Sequence, residues 1–269
     1  MRNPSKTRVL ILAFCLVAFF VPFVDANTPG AEYDLLIVGG TIVTMNPERD
    51  VIRDGAIAIK DGKIGVIGNS ETIPTLRAKQ VINAEGKLVI PGLINTHTHV
   101  PMTLFRGIAD DLDLQKWLET YIFPAEAKNV DEDFVRVGTR LGLAEMIRGG
   151  TTTFTDMYYF EDAIADETAR AGMRGVLGET VIDFPAPDNK TFDEGLAYTE
   201  KFLMKWKGHP LIVPAVAPHA PYTVSEEHLK MAERLSKKHN SPLLIHLAEA
   251  QSEVDFVRKN KNMRPIEYA

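Results

Sequence analysis

The sequence predicts an α/β protein. A partial TIM-like (β/α) barrel, its first five βα units, follows a small β-rich unit (half of a β-sandwich) and an N-terminal signal peptide. Three observations carry this. From Leu88 onward, strand-like apolar runs alternate with helical patterns. Before Leu88 the runs are short and punctuated by glycine turns. The extreme N-terminus is basic, then apolar, then small. The predicted divisions are 1–26, 27–88 and 89–269.

Arg2, Lys6 and Arg8 precede the apolar run Val9 to Val24, and Val24-Asp25-Ala26 puts small residues before Asn27. This is the layout of a secretory signal peptide cleaved after Ala26, which implies export to a periplasm or the exterior. The alternative is an uncleaved membrane anchor. The run contains Pro22 and falls short of the roughly 20 residues of a span, which favours cleavage. The only cysteine, Cys15, lies inside the apolar run. The mature chain therefore has no thiols, and any metal site must use histidines and carboxylates.

The β-rich unit reads as strands at Tyr33 to Val38 and Thr41 to Met45, then a hairpin from Ala56 to Ile67. Asp61-Gly62 supplies its type I′ turn. Val81-Ile82-Asn83, Glu85-Gly86 and Leu88 repeat that pattern. Beyond it, strand patterns fall at Leu88–Asn95, Thr151–Met157, Met173–Val181, Leu211–Val216 and Pro242–Leu247. Helical patterns fall at Asp131–Ile147, Phe160–Ala171, Phe192–Trp206, Ser225–His239 and Glu249–Lys259. Alternation of this kind gives a parallel sheet. An open doubly wound sheet would carry a glycine-rich phosphate turn after the first strand, and none is present. A barrel would place reactive residues at the C-terminal strand ends, where they are found.

The chain has 269 residues and a formal net charge of −6. No Lys/Arg cluster could neutralise a phosphate backbone, which argues against nucleic-acid binding. The nearest candidate, Lys237-Lys238-His239, reads as a solvated helix face. A small molecule is the expected partner, with membrane contact only through the signal segment. Oligomeric state is not encoded in any pattern found.

The chemistry sits at the strand ends. His97 and His99 follow the first strand, and residues two apart on a strand point to one face. His219 follows the fourth strand, and His246 and Glu249 follow the fifth. Three imidazoles can hold a divalent metal and leave a position open, while a nearby carboxylate moves protons. A dinuclear site bridged by a carbamylated lysine would need a lysine near the end of the fourth strand, and Leu211 to Tyr222 contains none, which favours a single metal ion. One metal ion is expected, with His219 acting on substrate. The long segment from Val100 to Val130 carries Arg106, Trp117 and Glu126 and suits a lid or substrate wall. His209, His228 and His239 read as ordinary packing or surface residues.

On Pro91-Gly92-Leu93-Ile94-Asn95-Thr96-His97-Thr98-His99, Pro101 to Gly107, Pro218 to Tyr222 and His246-Leu247-Ala248-Glu249, the chain resembles the amidohydrolase superfamily. Within it the chain is most similar to 5′-methylthioadenosine/S-adenosylhomocysteine deaminases and related chlorohydrolases. The resemblance implies that His97, His99 and His246 bind zinc, with iron or another divalent metal as alternatives. It assigns Glu249 as proton shuttle, and Glu126 and His219 as nucleoside contacts. The implied reaction is hydrolytic deamination of a purine nucleoside or related heterocycle. The alternatives are dehalogenation of an N-heterocycle, or a non-enzymatic exported metal- or ligand-binding remnant. At the end of the third strand Glu179 stands where the resemblance implies an arginine. The family barrel has eight strands, so the expectation is a fragment, one metal ligand short and inactive as given.

Overall fold

The computed structural model describes residues 32–73 and 76–268. The predicted signal peptide lies outside the described residues. No described helix is long and apolar enough to cross a membrane. The chain separates into two compact units, one ending at Pro91 and one starting at Gly92.

The first unit is a five-stranded sheet built from β1 (Glu32–Val43), β2 (Val51–Lys60), β3 (Lys63–Asn69), β4 (Arg77–Asn83) and β5 (Leu88–Val89). The order is β3-β2-β1-β4, with β5 also on β1. Asp61 and Gly62 both have positive φ and close the antiparallel β2–β3 hairpin, as the Asp-Gly pair predicts. Two expectations change. Tyr33–Val38 and Thr41–Met45 are not separate strands, because Gly39-Gly40 makes a bulge within β1 in place of a turn. The stretch from Val81 to Leu88 is not a second hairpin, since β4 and β5 each pair in parallel with β1. Leu36, Ala56, Ala58 and Ile73 form the buried centre of this unit.

The second unit is a four-stranded parallel sheet in the order β6 (Leu93–Thr98), β7 (Thr151–Tyr158), β8 (Arg174–Val181) and β9 (Ile212–Pro218). Pro91 divides the predicted run Leu88–Asn95, leaving Leu88–Val89 to the first sheet and starting β6 at Leu93. Without an N–H, Pro91 cannot continue a ladder. β6 is an edge, and Leu93 and Ile94 are exposed there.

A tight turn over Val100–Phe105 follows β6. Next come α1 (Leu114–Trp117), a π-turn at Leu118–Ile122, α2 (Phe123–Asn129) and α3 (Glu132–Arg148). α4 (Glu161–Arg170), α5 (Phe192–Trp206) and α6 (Glu226–His239) follow β7, β8 and β9 respectively. α7 (Gln251–Lys261) and α8 (Pro265–Tyr268) complete the unit. The starts of α3, α5 and α6 are capped by Asp131, Thr191 and Ser225, with a full capping box between Thr191 and Glu194.

The fifth predicted strand, Pro242–Leu247, forms only one bridge, between Leu243 and Val216. It still runs beside β9. Val216 N donates to the Pro242 carbonyl, Leu244 N to the Val216 carbonyl and His246 N to the His219 carbonyl. Phe154, Leu177 and Ile212, all essentially unexposed, lie at the heart of the core that the sheet shares with its helices.

α3 presses directly on the turn after His99. Thr103 Oγ1 donates to the Gly138 carbonyl at 3.0 Å, and a Cβ at Gly138 would stand 2.4 Å from the Pro101 carbonyl oxygen. In an open helix, replacing glycine by alanine gains up to about 1 kcal/mol. Here the neighbour is backbone and cannot rotate away, so overpacking at ~1–3 kcal/mol outweighs that gain. Urea unfolding of Gly138→Ala is expected to show a net loss of about 1–2 kcal/mol. A neutral or stabilised variant would contradict this packing.

Candidate metal centre and its cavity

Four histidines meet at the C-terminal end of the parallel sheet. His97 and His99 leave the end of β6, His219 follows β9, and His246 lies on the segment beside β9. Ring centroids are 4.9 Å apart for His97–His99, 5.0 Å for His97–His246, 5.1 Å for His99–His246 and 4.9 Å for His219–His246. One ligand nitrogen from each of His97, His99 and His246 lies within 4.8 Å of the other two.

Backbone carbonyls set the tautomers. His99 Nδ1 lies 2.6 Å from the Met157 carbonyl oxygen, and His246 Nδ1 lies 3.0 Å from that of His219. A carbonyl only accepts, so both Nδ1 atoms carry hydrogen and both Nε2 atoms present lone pairs. Those two Nε2 atoms face each other at 3.2 Å. Two lone pairs at that distance repel unless a cation lies between them. Tetrahedral coordination at about 2.0–2.1 Å per Zn–N bond separates ligand nitrogens by about 3.3 Å, so the residues present fit a metal ion. Burial and the neighbouring His246 hold the His99 imidazole down to about 4. Burial also lowers His246, against the opposing charge of Glu249. Both rings are therefore neutral, the form that binds metal.

His219 is tuned differently. Thr223 Oγ1 donates to the Ala220 carbonyl at 3.2 Å, so His219 Nδ1 donates to Thr223 Oγ1 at 2.7 Å and leaves Nε2 as an acceptor. Burial lowers its pKa to about 3. His219 and His99 line one cavity with Trp117, Phe123, Glu126, Tyr158 and Thr180. The structure thus brings Trp117, Glu126 and His219 to the same space. Glu126 is buried, accepts from Tyr158 Oη at 2.8 Å, and is raised by burial to about 7.

Glu249 is exposed on the loop beyond His246. That loop is held by Glu253, a buried carboxylate at the start of α7 that accepts from the amides of Ala248 and Glu249, each at 2.9 Å. Ala248 has a φ of 57°, an unfavourable conformation for a residue with a side chain. Sequence reasoning missed Glu253, although an acid four residues after Glu249 suits a helix start.

Other sequence candidates lie elsewhere. Arg106 forms a two-pronged ion pair with Glu145 on α3, so it does not face the cavity. Glu179 is fully buried and accepts from Glu161 N, while its neighbour Thr180 lines the cavity. The carboxylate at that strand end therefore does not enter the candidate pocket. His228 stacks on Phe192 at 3.9 Å, His209 meets Trp206 edge-on, and His239 bonds Glu200. Lys237 and Lys238 pair with Glu233 and Glu200.

Residues 88–268 match the model of the Amidohydrolase family. The chain is 47% identical over 234 residues to the 5-methylthioadenosine/S-adenosylhomocysteine deaminase of Syntrophobacter fumaroxidans, covering 87% of this chain and 53% of that one. It is 45% identical over 214 residues to the 5′-deoxyadenosine deaminase of Methanocaldococcus jannaschii, covering 79% and 50%. Among solved structures, an adenosine deaminase from Xanthomonas campestris with bound zinc superposes with a TM-score of 0.85 at 36% identity. That match covers 89% of this chain and 55% of that one. The chain spans about half the length of the curated relatives it matches.

Glu126 makes stability depend on pH. Its pKa rises from 4.5 to about 7 on folding, so the native state keeps the proton longer than the unfolded chain. The resulting stability is full below pH 4.5 and is lost as pH rises towards about 7. Relative to Glu126→Gln, the wild type should lose up to about 1.4 kcal/mol per pH unit across that window in urea unfolding. Parallel pH profiles for the two proteins would refute the assignment.

Proposed function

The chain belongs to the amidohydrolase family, and on that premise we propose that it is a zinc-dependent hydrolase of carbon–nitrogen bonds, a deaminase of a purine nucleoside or related heterocycle. The observation that carries the reading is the pair of carbonyl-locked imidazoles whose lone pairs converge at 3.2 Å beside an aromatic cavity. The deaminase relatives support the substrate class.

His97, His99 and His246 would hold the metal. When bound, it supplies Lewis acidity that makes water nucleophilic near neutral pH. Glu249 accepts one proton from the attacking water and passes it to the ring nitrogen beside the amino-bearing carbon. The second proton, from the newly added hydroxyl, is carried to the amino group as the carbon–nitrogen bond breaks, so that ammonia leaves and the carbon keeps the oxygen as a carbonyl. Neutral His219 offers the Nε2 lone pair to a ring or amino N–H, which orients the heterocycle. Trp117, Phe123 and Tyr158 give the planar ring apolar faces, and Glu126 meets a substrate hydroxyl with a carboxyl that titrates near neutrality.

The parallel strands, with reactive residues at their C-terminal ends, support assignment of residues 89–269 to a TIM-like (β/α) barrel, with 27–88 as the accompanying β-rich unit. The basic, apolar and small-residue pattern of residues 1–26 supports export, with cleavage after Ala26.

The test uses protein expressed from its complete reading frame. Metal analysis is expected to find zinc, and 5′-methylthioadenosine, S-adenosylhomocysteine or adenosine should release ammonia. Glu249→Gln should retain zinc while kcat falls by about 10²–10⁴. A zinc-loaded protein that releases no ammonia from any aminopurine overturns the deaminase reading. Chloride release from a chlorotriazine would then point to dehalogenation.

A further inference from the structure

The Thr98–Asp156 pair lies where the β6–β7 ladder fails. Register runs Leu93↔Thr151, Ile94↔Thr153 and Asn95↔Phe154, then resumes at Thr98↔Asp156. Three steps on β6 therefore oppose two on β7, a bulge that contains His97. Bulges re-aim side chains, and here the backbone around both histidines leaves the regular pleat.

One carboxylate oxygen takes over from the missing ladder. Thr98 Oγ1 donates to Asp156 Oδ1 at 2.5 Å and also lies 2.8 Å from the Thr155 carbonyl oxygen. Val100 N donates to the same Oδ1 at 2.6 Å. The residues on both sides of His99 are thus tied to one atom. The next residue along β7, Met157, accepts the Nδ1 hydrogen of His99. Asp156 is completely buried, forms no ion pair among the described residues, and leaves Oδ2 without a hydrogen-bond partner. Keeping an unpaired acid in the interior is costly, and sheet closure alone does not require one.

We propose that Asp156 is a positioning residue that sets the orientation of the His99 imidazole by gripping Thr98 and Val100 together. Its consequence for metal affinity rests on the reading of His97, His99 and His246 as ligands. Asp156 itself touches neither metal nor substrate. It decides where the His99 ring stands when a ligand arrives, and it does so through backbone on either side of that ring.

The experiment compares the full chain with Asp156→Ala, Asp156→Asn and Thr98→Val, using urea unfolding to confirm that each folds. Two readouts are taken. Histidine ¹⁵N NMR of the metal-free protein reports the His99 ring and its tautomer. Titration with Co²⁺ against a chelating dye reports affinity and the visible spectrum. In Asp156→Ala and Thr98→Val the His99 signals should move, and Co²⁺ affinity should fall about 10- to 100-fold with an altered spectrum. Asp156→Asn keeps an acceptor oxygen for Val100 N and should fall between these and wild type.

Wild-type His99 signals and Co²⁺ affinity in a folded Asp156→Ala protein overturn the proposal. If that variant does not fold, the same result in Thr98→Val overturns it. A wild-type chain that binds no Co²⁺ refutes the metal reading instead. The metal-free NMR then decides on Asp156 by itself: shifted His99 signals sustain it, and unmoved ones reject it.

Discussion

Two backbone carbonyls, those of Met157 and His219, each take the Nδ1 hydrogen of an imidazole and so aim two nitrogen lone pairs at one point. Free in water, the rings would turn apart. Here they cannot, because one carbonyl belongs to β7 and the other to the exit of β9, both anchored in the core. The arrangement is electrostatically unfavourable without a cation, so packing must hold it. The direct seating of α3 on the Pro101 backbone shows how little play that packing allows.

Burial acts on the site's charges in one direction, towards neutrality. It lowers His99 and His219 and raises Glu126, Asp156, Glu161 and Glu179. The end of the sheet is therefore floored by neutral or nearly neutral hydrogen-bonding groups. A divalent ion placed among them would be the largest charge present and would dominate local proton affinities. Glu249, on the loop beyond His246, is exposed.

Much of this was legible in the chain. The His-x-His spacing at the end of one strand marked His97 and His99, strand-end positions picked out His219, His246 and Glu249, and the long segment after the first strand offered the wall residues Trp117 and Glu126. Strand-end placement is a local property and survives folding, although the bulge at His97 interrupts the regular side-chain period. Glu179 was harder to read. Its position at a strand end suggested the pocket, but the pleat turns it inward and gives the pocket Thr180.

The sequence by itself determined the alternation of strands and helices, the caps that start α3, α5 and α6, and the residue types able to bind a metal. Tertiary structure decided what those residues can do. It bulged β1 at Gly39-Gly40, divided the run at Pro91, and reduced Pro242–Leu247 to a single bridge. It also recruited Asp156, Tyr158 and Glu253, whose partners lie on other elements or across a turn. The physical reason is distance along the chain. A hydrogen bond between Thr98 and Asp156 has no local signature, because neither residue's own segment contains the other half of the interaction.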